Sequence, residues 1–129
     1  MIDPIDVFLG GSPPSIQAIS QILRQMVRDS MPPDAHEVLY AKQNHIGYSL
    51  TGKQRDRVLY ICPMRNYARL GFMDGANLPD PEQVLTGSGK RIRHVKVYST
   101  EDDEFLALNS LITAAWERAL AVRKKKSPS

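Results

Sequence analysis

The spacing between extended segments limits this chain more than any other feature. Ile46, Tyr48 and Leu50 alternate with Gly47 and Ser49; Arg57 to Cys62 is apolar through its middle; Ala68, Leu70 and Phe72 alternate with Arg69, Gly71 and Met73. These are strand patterns, the middle one apolar enough to be central in a sheet. Only Thr51–Asp56 and Pro63–Tyr67 connect them. A parallel pair needs a crossover of about a dozen residues or more, so neighbouring segments must pair antiparallel.

A fourth strand follows a more distant signal. Gly87 and Gly89 loosen the backbone, Lys90, Arg91 and Arg93 bring cations, and Val95 and Val97 supply β-branched alternation. Helical patterns bracket the strands. Asp3 before Pro4 reads as a capped start that Gly10 and Gly11 end, and Ser12, Pro13 and Pro14 repeat the signal. Ile16, Ile19, Leu23, Met26 and Val27 then recur at helical spacing to Pro32, with Gln17, Gln21, Arg24 and Arg28 on the side suited to water. Asp34 reads as the cap of a further short helical turn through Val38 and Tyr40, and Pro81 to Leu85 as another. Thr100 with Asp103 approximates a capping box for a last helix starting near residue 101, whose apolar face is Phe105, Leu108, Leu111, Ile112, Ala115, Trp116 and Ala119. The expected fold is therefore α+β with two layers: a mainly antiparallel four-stranded sheet with the N- and C-terminal helices packed on one face. Residues 1–122 form one domain and 123–129 a basic, solvated tail.

With 129 residues the chain is long enough to bury about two-thirds of its unfolded surface in one core. No continuous apolar run approaches the roughly 20 residues of a membrane span, and the start lacks a signal-peptide pattern, so the expected compartment is the cytoplasm. The lone Cys62 agrees with a reducing compartment and reads as a small buried hydrophobe. The net charge of +3, less the four cations Arg123, Lys124, Lys125 and Lys126, leaves −1 for the body. A nucleic-acid partner is therefore not expected from the charge count.

If Val95 and Val97 face the helices, His94, Lys96 and Tyr98 stand on the other side of the sheet with Arg69, Gly71, Met73, Gly47 and Ser49. That predicts a shallow cationic pocket with the small residues as its floor. Arg69, Lys90, Arg91, Arg93, His94, Lys96 and Tyr98 are the candidate ligand-binding residues, and an anionic small molecule or a peptide carboxylate the candidate ligand. No catalytic set emerges. The run Gly87-Ser88-Gly89-Lys90 lacks the upstream glycine of a phosphate loop, Val84 standing there, and Arg91 replaces its Ser or Thr. Neither Ser49 nor Ser99 sits in a nucleophile-elbow pattern that His45 or His94 would serve. Asp34, His36 and Glu37 read as a solvated helix start rather than a metal site.

The segments Asn77-Leu78-Pro79-Asp80-Pro81-Glu82 and Leu85-Thr86-Gly87-Ser88-Gly89-Lys90-Arg91-Ile92-Arg93-His94-Val95-Lys96 resemble the signature of the YdhG-like domain family. The likeness extends back to Leu70-Gly71-Phe72 and covers most of residues 3–122; Tyr40-Ala41-Lys42-Gln43 stands where members often carry a Tyr-Gly-Met-Pro-like turn. The resemblance implies a small bacterial domain without assigned activity. One branch is described as an intracellular iron chaperone of frataxin-like arrangement. For that alternative the acids Asp102, Asp103 and Glu104 are the candidate iron ligands; otherwise no cofactor is expected.

Overall fold

A computed structural model of the chain describes residues 2–101 and 104–126. Helices α1 (Pro4–Leu9) and α2 (Pro14–Ser30) precede five strands, β1 (His36–Tyr40), β2 (His45–Ser49), β3 (Arg57–Pro63), β4 (Ala68–Phe72) and β5 (Arg93–Val97), and helix α3 (Phe105–Lys126) closes the chain. The strands form one sheet in sequential order, every neighbour antiparallel, with β3 in the middle.

The fifth strand corrects the expected helical turn at residues 34–40. Each residue from His36 to Tyr40 pairs with β2, from His36 opposite Ser49 to Tyr40 opposite His45. Val38 and Tyr40 suit a strand, while Glu37, which masks the alternation, reaches across to α2. There Arg24, expected in water, is buried at 6% exposure. It donates to both Glu37 oxygens at 2.9 Å and to Asp3 Oδ2 at 2.7 Å and Asp6 Oδ1 at 3.1 Å. The buried Tyr48 hydroxyl donates to Glu37 Oε2 at 2.6 Å, so one guanidinium ties α1, α2, β1 and β2 together.

The capped start of α1 is as expected, Asp3 Oδ1 accepting from the Ile5 N–H at 2.9 Å with Pro4 in the first turn. α3 begins at Phe105 rather than near 101, and Asp103 of the expected capping box lies outside the described residues. Its last turn carries Arg123, Lys124 and Lys125, expected in a tail, where cations complement the carbonyl end of a helix. Residues 81–85 form turns instead of a helix. Asp80 takes the place of helical bonding there, accepting from the Val84 and Leu85 N–H groups at 3.0 Å each.

Pairing sets the two faces of the sheet. Ile46, Ile61, Leu70 and Val95 form one inward row, and Tyr48, Leu59 and Phe72 a second. All are buried, in one core with Ile16, Ile19, Leu23 and Val27 of α2 and Leu108, Ile112 and Trp116 of α3. Val95 and Val97 thus point at the helices, whereas Lys96 between them is exposed. α3 has the length and composition of a membrane span, yet here its apolar stripe covers the sheet. The face turned away from the helices carries Arg69 and Lys96, with the Arg57 stem over Gly47.

Candidate functional site

On that open face Arg69 of β4 lies directly opposite Lys96 of β5, and His94 lies opposite Gly71. Cys62 of β3 is on the other flank of Arg69. The Arg69 guanidinium has one hydrogen-bond partner, the Tyr67 hydroxyl at 3.3 Å, and its buried Nε–H has none among the described residues. Lys96 Nζ sits 5.2 Å from the centre of the Tyr67 ring, whose other neighbour is Tyr98 at 5.4 Å between centroids.

The small residues that were expected to floor a pocket are roofed instead. A Cβ on Gly71 would lie 2.1 Å from the Tyr60 ring, so the ring covers the glycine. Gly47 is covered in the same way by the Tyr40 ring and the Arg57 stem, at 2.7 and 3.0 Å from a built Cβ. Ser49 is no floor either: its hydroxyl accepts from the Gly52 N–H at 2.8 Å and closes the next turn. The result is a face covered with rings. Tyr40 and His45 stand 5.1 Å apart and His45 and Tyr60 5.6 Å, with the Arg57 guanidinium 5.9 Å from the Tyr60 ring.

Charge on this face is one-sided. Among the described residues no carboxylate pairs with Arg57, Arg69 or Lys96; Arg57 is held by the Gln54 carbonyl at 2.9 Å and by His45 Nε2 at 2.7 Å. An arginine only donates, so His45 Nε2 must accept, and Nδ1 carries the proton toward the Gln43 carbonyl at 3.2 Å. Burial, reinforced by Arg57, holds that imidazole below its ordinary range. Burial also depresses His94, and Arg69 and Lys96 add to the effect. Burial pushes the Cys62 thiol up, so it stays protonated, donating to the Asn44 carbonyl at 3.0 Å. It is half-buried rather than a core hydrophobe.

Of the seven residues expected to bind a ligand, Arg69, His94 and Lys96 come together, with Tyr98 beside them. The other three part from them. Arg93 takes the inward parity opposite Phe72 and folds back on the carbonyls of Gly89 and Ile92, pinning the glycine loop. Arg91 turns to Asp74 on the helix side at 3.5 Å, and Lys90 stays in the exposed loop. Tyr40, Arg57, Tyr60 and Tyr67, absent from the sequence-based set, belong to the face. The signal for Tyr60 was its pairing with Gly47 and Gly71 on the strands to either side, which is visible only once register is known.

A cleft of about 610 Å³ lies on the helix side, floored by Leu50, Phe72, Met73 and Ala115. Met73, expected outward with Arg69, belongs here because β4 ends at Phe72. Of the arginines that line it, Arg118 and Arg91 share Asp74, Arg123 meets Asp34 at 2.8 Å and Arg55 lies 4.0 Å from Asp56, while Arg57 reaches it from the sheet edge without a carboxylate partner among the described residues. Of the acids named for iron, Asp102 and Asp103 lie outside the described residues and Glu104 just precedes α3; no group of three metal-ligating side chains occurs among the described residues. Compared with protein families, curated proteins and solved structures, the chain matches none of them.

Proposed function

We propose that this chain is a non-enzymatic binding or accessory domain that holds an anionic ligand on the open face, between Arg69, Lys96 and His94. The observation that carries this reading is the direct cross-strand pairing of Arg69 with Lys96 without a carboxylate. Like charges in that position weaken a sheet by a few tenths to about 1 kcal/mol. An anion seated between them offsets that cost. The segment Arg93-His94-Val95-Lys96 that resembles the YdhG-like family supplies two of the three groups. Two charge-assisted bonds contribute about 3–6 kcal/mol, and a millimolar site requires about 4 after ordering costs, so the third donor decides whether binding is measurable.

His94 is that donor when protonated, and its depressed pKa fixes the sign of the pH response. In the free protein, stability falls as pH drops below 6.5, because the unfolded state takes the proton first. A bound anion raises the His94 pKa, so its contribution to binding is complete below the free-state pKa and lost as pH rises through the bound-state one. We expect sulfate, which does not titrate in this range, to raise the melting temperature by about 4–6 °C at ten times its dissociation constant. The shift should grow as pH falls from 8 to 5.5, vanish in Arg69→Ala and lose its pH dependence in His94→Gln. An equal shift in Arg69→Ala, as general salt exclusion would give, rules the site out.

A further inference from the structure

Resting on the reading of the open face as an anion site, we infer that its ligand is a single-stranded nucleic acid: bases stack on the flat tyrosine rings and phosphates pass between Arg69, Lys96 and Arg57. Three observations converge. First, the Tyr60 ring covers Gly71 yet stays half-exposed, and the Arg57 guanidinium, a second planar group, lies 5.9 Å from its centre. Every base has a π-face, and stacking on such rings tolerates any sequence.

Second, the rings form two groups separated along the face. Tyr40, His45 and Tyr60 lie over β1–β3, Tyr67 and Tyr98 beyond the ends of β4 and β5, and the unpaired cations Arg69 and Lys96 lie between them. Aromatic, cationic, aromatic is the order of base, phosphate and base along a strand. Third, rings and the Arg57 stem fill the space over Gly47 and Gly71. Small molecules bind in concavities that bury most of their surface, and the glycines that would have made one here are roofed by rings. A polymer instead adds weak contacts along its length. The near-neutral body charge is no obstacle, because Asp3, Asp6, Glu37 and Asp74 are engaged by arginines elsewhere and, among the described residues, no carboxylate pairs with Arg57, Arg69 or Lys96.

The test is fluorescence anisotropy of the full chain with a labelled mixed-sequence DNA decamer, single-stranded or as a duplex, beside uridine monophosphate and sulfate as competitors. The single strand is expected to bind about tenfold or more tighter than the duplex, with a log–log salt slope of about −2, that of three neutralised phosphates on a single strand. Lys96→Ala should flatten the slope by about 0.7. Tyr60→Ala should weaken the single strand about tenfold, and Tyr60→Phe should recover most of that loss. Should Tyr60→Ala fail to fold, the exposed Tyr98→Ala measures stacking in its place, through a loss of about fivefold. Equal affinity for duplex and single strand, or indifference to the loss of either ring, overturns the inference; if sulfate still stabilises the wild type but not Arg69→Ala, the anion site survives it. Monophosphate as strong as the decamer overturns the strand and leaves a nucleotide. Loss of sulfate binding as well removes both readings.

Discussion

Replacing Arg24 with methionine is expected to lower the unfolding free energy by about 3–5 kcal/mol and the melting temperature by about 10–20 °C. Methionine fills much the same volume, so the loss is electrostatic. Glu37, with a side chain only 13% exposed, is left buried without its cation, and Asp3 and Asp6 lose the guanidinium that joins α1 to the sheet. The Tyr48 hydroxyl, its pKa raised by burial and by the Glu37 charge, stays a donor to that carboxylate and cannot replace the missing charge. Because the harm lies in an orphaned charge, Arg24→Met combined with Glu37→Gln should recover most of the stability: glutamine keeps an acceptor for Tyr48. Arg24, with help from the Ile5 N–H, also holds the Asp3 carboxyl below its usual range. That contribution is complete above pH 3.8 and is lost as pH falls through the folded-state pKa, so the variant should show a weaker dependence of stability on acid. Denaturant titrations across pH 2–6 measure all three effects; a double variant no better than Arg24→Met would place the loss in packing instead.

Arg69→Glu should separate binding from stability. Sulfate affinity is expected to fall by at least about a hundredfold, since one charge-assisted bond is lost and a repulsion replaces it. Stability should stay within about 0.5 kcal/mol of wild type or rise, because the new carboxylate stands opposite Lys96 where a like charge stood before. The Tyr67 hydroxyl contact at 3.3 Å is long and neutral, and its loss is small. Calorimetric titration with sulfate, beside urea unfolding, reads both quantities. A variant that loses stability as well as binding would mean that Arg69 holds the sheet together rather than a ligand.

How far these sites were legible in the sequence follows from the range of the interactions that build them. The orientation of β5 was legible because Val95 and Val97 alternate with Lys96 and need no partner to be read. β1 was not. Glu37 at an inward position breaks the apolar alternation, and it is inward because Arg24, thirteen residues earlier, is buried to meet it. Neither residue announces the other, so Arg24 looked wet and the strand looked like a helical turn. The open face was half legible. Alternation put Arg69, His94 and Lys96 on one side, but it gave no sign that Arg93 folds back onto Gly89 and Ile92. It also read Gly47 and Gly71 as empty floor. Their role depends on register: Tyr60 reaches Gly71 because β3 and β4 pair them directly. Net charge is silent on this face for a related reason, since a sum over the body cannot show that Asp3, Asp6, Glu37 and Asp74 meet arginines away from it.

That the sheet face away from the helices is the binding surface is tested most directly by following backbone amide resonances while sulfate is added. The expected shifts are centred on Arg69, Gly71, His94 and Lys96, saturate together, and disappear in Arg69→Glu. Shifts centred instead on Asp74, Arg91 and Arg118 around the helix-side cleft would contradict that placement.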